Sequence, residues 1–223
     1  MRSYLEQCAA VHAALAEYAP FIGGGVARDA IFGRPVKDID VFLPWIGKSK
    51  AAFDEVFVAS AARMGGSIGN AQGAMSFGDP DDEVSDVIAQ GVIEFADGRL
   101  PVNMIALKLP DDEAAMLARF DIDLCRCYYD PGTERMKVTW SAQDAFDRKC
   151  MTIVRSSDVV EFDRSVRRFE RLVEKYPGFK LGVAPNLQPL ASASLEWTML
   201  VLDTSIDVIA DPCPHSSATS TAP

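Results

Sequence analysis

Asp38-Ile39-Asp40 is the part of this chain best suited to chemistry. It opens an apolar, β-prone run, Ile39 to Leu43. On a strand, residues i and i+2 point to the same side, so the two carboxylates converge. Two like charges held that close are costly unless a cation sits between them. Hard oxygen donors suit Mg²⁺, which takes one or two carboxylates together with substrate phosphates. Just upstream, Phe21-Ile22 runs into Gly23-Gly24-Gly25, and a helix-like stretch follows. Glycines let the backbone turn tightly and come close to a ligand. The N–H groups at the start of the helix face back towards that turn and suit an anion. The stretch is neither G-x-G-x-x-G nor a P-loop, because no Gly-Lys-Ser/Thr follows. A phosphate cradle beside a metal-holding strand describes phosphoryl or nucleotidyl transfer.

These residues need a scaffold, and the hydrophobic pattern supplies one. Leu5, Cys8, Ala9, Val11, Leu15 and Tyr18 recur at helical spacing, which predicts a helix over 4–18 that Pro20 stops. Helices are also predicted over 26–32 and 49–63, closed by Gly33 and by Gly65-Gly66. Residues 66–91 read as a long loop with one strand near 74–77. Val92 to Phe95 and Leu100 to Leu107 flank Asp97-Gly98 as a hairpin. A short helix starts at Asp111-Asp112-Glu113. A second hairpin pairs Ile122 to Tyr129 with Met136 to Trp140. From Ala142 the pattern is helical, with a charged helix from Arg164 to Tyr176, and after about residue 205 the composition is that of a disordered tail.

Gly24-Gly25-Val26-Ala27-Arg28-Asp29, followed by Gly33-Arg34-Pro35-Val36-Lys37-Asp38-Ile39-Asp40, resembles the head-domain signature of the class II polymerase β-type nucleotidyltransferases. That family includes bacterial CCA-adding enzymes and poly(A) polymerases. Arg119 to Asp123, running to Tyr129-Asp130-Pro131, is similar to the family's second motif, and Asp163 to Phe179 is similar to its neck helix. The resemblance implies an α+β fold: a polymerase β-like head at 1–140 with a mixed sheet and helices on one side, a helical neck at 141–200 and a tail at 205–223. It implies two-metal transfer of NMP from an NTP, such as ATP, to a hydroxyl. Asp38 and Asp40 would bind Mg²⁺, with Asp121 or Asp123 as a third carboxylate, and these aspartates would be the catalytic set. Gly24 and Gly25 would hold the triphosphate by backbone N–H groups, Arg28 would add charge, and Asp29 would fix that Arg. Lys37, Arg167 and Arg168 would also meet the nucleotide. There are departures. Phe120 stands where the second motif has an Arg, Asp123 and Cys125 replace Thr and Asn, and the strand before it, where relatives often carry Glu, offers only Asn103, so Asp121, Asp123 and Asn103 are all left open as the residue that completes the metal site.

Composition narrows the partners. The net charge of −10 and pI near 4.7 argue against gripping long nucleic acid by non-specific charge. The chain shows no secretory h-region and no apolar stretch of membrane-spanning length, so a cytoplasmic protein without membrane contact is expected. Five scattered Cys and two His make a Cys/His metal site a poor reading, and the thiols are expected to be free. Arg164, Arg167, Arg168 and Arg171 fall on one helical face, which reads as solvated or as turned to nucleotide. Trp45, Trp140 and Trp197, with Phe146, Phe162 and Phe169, are expected to pack. The acceptor is left open between a tRNA or other RNA end, a protein and a small molecule. A regulatory protein that binds nucleotide without turnover, and a toxin-like or phage-encoded transferase acting in trans, are the alternatives.

Overall fold

The computed structural model describes residues 4–69, 86–109 and 112–202. The strand expected near 74–77 and the tail expected after 205 lie outside them. The chain divides into two compact units. One comprises Met1–Leu117 and Cys127–Val138; the other comprises Ala118–Arg126 and Thr139–Pro223.

The first unit is built on a mixed seven-stranded sheet. In chain order its elements are α1 (Tyr4–Ala14), β1 (Phe21–Gly23), α2 (Gly25–Ile31), β2 (Ile39–Pro44), α3 (Lys50–Met64), β3 (Ser67–Gly69), β4 (Val87–Glu94), β5 (Val102–Leu107), α4 (Glu113–Ala118), β6 (Cys127–Asp130) and β7 (Arg135–Val138). The strand order is β3-β4-β5-β2-β1-β6-β7. Among the described strands of this sheet, only β2 and β5 pair in parallel. The β4–β5 hairpin turns through Asp97-Gly98, where Asp97 accepts from the Arg99 backbone N–H at 3.2 Å and from its guanidinium at 2.9 Å.

Alternation along the strands decides what faces where. Ile39, Val41 and Leu43 of β2 and Val102, Met104 and Ala106 of β5 enter one apolar core. Cys8, Val11 and Leu15 of α1 and Phe53, Phe57 and Ala61 of α3 complete it. Asp40 and Asn103, each between two of those residues, therefore point to the opposite face.

The second unit holds a 3₁₀ turn at Asp123–Cys125, α5 (Trp140–Arg148), β8 (Cys150–Ile153), α6 (Val159–Lys175), β9 (Lys180–Val183), α7 (Gln188–Ala193) and α8 (Leu195–Leu202). Asp158 caps α6 by accepting from the Glu161 N–H at 2.8 Å, while the Glu161 carboxylate accepts from the Ser157 N–H at 2.6 Å. The helix buries Phe162, Val166, Phe169 and Leu172 and leaves Arg164, Arg167 and Arg171 exposed.

Several sequence expectations are corrected. The stretch from 142 is not helical throughout, because β8 and β9 form a two-stranded parallel sheet. Residues 122–129 are not one strand: the 3₁₀ turn comes first and pairing resumes only at Cys127. Trp140 begins α5 and is 66% exposed instead of packed. Cys8, Cys125 and Cys127 are buried thiols, whereas Cys150 is disulfide-bonded, which corrects the expectation for that residue.

Candidate functional site

Three strands place one row of residues side by side. Gly23 of β1 is paired with Asp40 of β2, and Asp40 with Asn103 of β5. Asp38 precedes β2 by one residue and shares the face of Asp40. Asp40 is 9% exposed. The Asn103 amide donates to Asp40 Oδ1 at 2.9 Å and to Asp38 Oδ2 at 3.3 Å.

The glycine turn brings α2 up to this row. Gly24 has φ 71° and ψ −122°, a conformation that favours glycine. Its N–H donates to the Cys127 carbonyl at 2.8 Å. That donor closes the sheet, which corrects the expectation that Gly24 holds phosphate by its N–H. Gly25 begins the helix. A methyl group added there would lie 3.9 Å from Arg28 Nη2, 3.9 Å from Asp40 Oδ2 and 4.0 Å from Asp38 Oδ1. The missing side chain therefore leaves a space bounded by one guanidinium and two carboxylates. Arg28 is 8% exposed and its Nε donates to Asp29 Oδ1 at 2.8 Å, so the guanidinium is held in place. Lys37 is exposed next to Asp38.

Asp121 and Asp123 belong to the second unit. Asp121 accepts from the Ile122 N–H at 3.1 Å, from Ser165 Oγ at 2.6 Å and from Arg168 Nη1 at 2.5 Å. Arg167 Nη1 lies 3.8 Å from Glu196 Oε1. Sequence reasoning missed Ser165; the signal was a serine on the buried stripe of α6, between Phe162 and Phe169. Asp123 accepts from the Leu124 N–H at 2.7 Å and the Thr152 N–H at 2.9 Å. Asp123 lies in a 3₁₀ turn and not on the strand expected over 122–129. Among the described residues no group of three or more His, Cys, Asp or Glu could hold a metal ion. Asp38 and Asp40 are hard oxygen donors that fit one divalent cation, whereas the Asn103 group that faces them is its NH₂.

Burial pushes the Asp123 carboxyl up to about 6, against the pull of the Thr152 and Leu124 N–H donors and of Arg126. A raised folded-state value means that the folded protein binds the proton more readily than the unfolded chain. The stabilisation is complete below the ordinary value of 3.8 and is lost as pH rises through about 6. An Asp123→Asn variant should remove this loss. Relative to the variant, the wild type should lose about 3 kcal/mol between those two limits, read by urea unfolding across pH. Parallel pH profiles for the two proteins would contradict the assignment.

No family model matches the chain, and no curated protein sequence does. Solved structures do resemble it. A CCA-adding enzyme in complex with ATP aligns over 92% of this chain and 43% of its own, at 12% identity and a TM-score of 0.57. The Thermotoga maritima CCA-adding enzyme complexed with tRNA aligns over 86% and 42%, at 13% identity and 0.56. The Bacillus stearothermophilus CCA-adding enzyme in complex with CTP aligns over 86% and 43%, at 15% identity and 0.52. The chain thus spans less than half the length of each of these structures. Among the described residues no helix is long and apolar enough to cross a membrane. The mixed sheet, the glycine turn into α2 and the agreement with these structures give this chain the fold of the aligned part of those CCA-adding enzymes.

Proposed function

We propose that this protein is a Mg²⁺-dependent nucleotidyltransferase that moves NMP from an NTP to a hydroxyl acceptor. The acceptor oxygen bonds to the α-phosphorus as the bond to the departing pyrophosphate breaks, and the hydroxyl proton passes to solvent. One observation carries the reading: Asp38, Asp40 and the Arg28 guanidinium converge on the space left by Gly25. Asp38 and Asp40 would hold the cation, which when bound polarises phosphoryl oxygens and balances developing charge. Arg28 binds phosphate oxygen with a charge that needs no reorganisation, because Asp29 already orients it. Gly25 lets the triphosphate approach the backbone. Asp121 spends both oxygens on donors and Asp123 is buried against backbone N–H groups, so in this reading the metal rests on Asp38 and Asp40. Arg168, held by Asp121, and the exposed Arg167 are the cations of α6 proposed to meet phosphate of nucleotide or acceptor. The similar structures with bound tRNA and nucleotides support an RNA 3′ end as acceptor ahead of a protein or a small molecule.

The test supplies purified protein with labelled NTPs, Mg²⁺ and a panel of RNA ends, proteins and small alcohols. Wild type should transfer label, and an Asp38→Ala/Asp40→Ala double variant should fall to background. Equal transfer by the two proteins would overturn the proposal. The Asn103 amide opposite Asp40 favours one second reading, binding without turnover. NTP binding by calorimetry with no transfer to any acceptor would select it.

A further inference from the structure

The β2–β5 register sets Asn103 opposite Asp40, and its single amide bridges both carboxylates, at 2.9 and 3.3 Å. This side chain is polar, sits in the row that faces the Gly25 space, and carries no charge. Its NH₂ group relieves part of the repulsion between Asp38 and Asp40 without a cation. Turned over, the same amide presents Oδ1 to a cation as a neutral ligand, and the charge count is unchanged.

That count has a consequence. Two carboxylates balance one divalent ion. A second ion in the same place would leave two uncompensated positive charges until a triphosphate supplied the negative ones. A carboxylate at position 103 would make three converging negative charges, a set that favours a second cation even without nucleotide. We infer that Asn103 limits this site to one divalent cation in the nucleotide-free protein, the second entering only with the triphosphate. The inference rests on Asp38 and Asp40 being the metal ligands, as proposed above, and assigns their neighbour the control of stoichiometry.

Mn²⁺ serves as the probe, counted on the full chain by electron paramagnetic resonance. Wild type should bind one Mn²⁺ per chain alone and two with a non-hydrolysable ATP analogue, after subtracting Mn²⁺ held by free analogue. Asn103→Asp should bind two without the analogue and hold the first about tenfold or more tightly. Its melting temperature should also rise further with Mn²⁺ than that of the wild type. Two Mn²⁺ on nucleotide-free wild type, only one with the analogue, or an Asn103→Asp variant that titrates like wild type would each overturn the inference. Asn103→Glu, which adds the same charge, carries the comparison if Asn103→Asp does not fold. A different result removes the underlying metal assignment and the inference with it: an Asp38→Asn/Asp40→Asn variant that binds Mn²⁺ as well as wild type.

Discussion

Gly25→Ala is expected to fold at least as stably as wild type while losing about a hundredfold in nucleotidyl transfer. The two halves of this result have separate causes. Gly25 is the first residue of α2 and its φ is not positive, so an L side chain meets no backbone strain. The added methyl lies at ordinary contact distances of 3.9–4.0 Å from its neighbours. Removing a glycine from a compatible helical position narrows the unfolded ensemble and stabilises by roughly 0.4–1 kcal/mol. The same methyl occupies the space between Arg28, Asp38 and Asp40 that the proposal gives to phosphate. Displacing a reacting group by about 1 Å is enough for a loss on the order of a hundredfold. Thermal melting and steady-state kinetics on one preparation separate the effects. Unchanged transfer would mean that the space is not the substrate's, whatever the melting temperature does.

Asp121→Ala should have the reverse profile, with instability as its first effect. Its side chain is 9% exposed and receives three donors, one of them the Arg168 guanidinium. Truncation deprives a charged group of its acceptor inside the fold, a change that costs several kcal/mol when the pair is fully buried. Arg168 is 23% exposed, so water offsets part of the loss. Ser165 Oγ lies 3.2 Å from the Glu161 carbonyl and can turn its proton there. The expected cost is about 2–4 kcal/mol in urea unfolding. Asp121→Asn keeps an acceptor for Ile122 or Arg168 and should cost less. A loss below about 0.5 kcal/mol in the alanine variant would show that this network does not support the second unit.

How much of this was legible in the sequence depended on how far apart the interacting residues lie along the chain. Gly24 to Asp40 is a strand turn, a helix and a strand start in immediate succession, so local spacing fixed which residues share a face. Asn103 was visible as a candidate. Its contact with both aspartates comes from a strand register, with partners 63 and 65 residues away. The partners of Asp121 lie 44 and 47 residues away on α6, and nothing near Asp121 announces them. β8 and β9 are four-residue runs whose pairing is parallel, so no turn marks them and a helical reading could absorb them. Gly24 lies in the turn, as its spacing predicts, but its N–H belongs to the sheet, because β6 arrives there from more than a hundred positions downstream.

The late arrival of β6 has a consequence for how the molecule comes apart. The chain leaves the first unit after Leu117, returns at Cys127 and leaves again after Val138. The strand that β6 must find, β1, was synthesised far earlier, so edge closure of the sheet waits on a long-range search. No single backbone cut yields two intact units: one placed before Cys127 strips β6 and β7 from the first, and one placed after Val138 detaches Ala118–Arg126 from the rest of the second. Three chain crossings, after Leu117, Arg126 and Val138, join the two units.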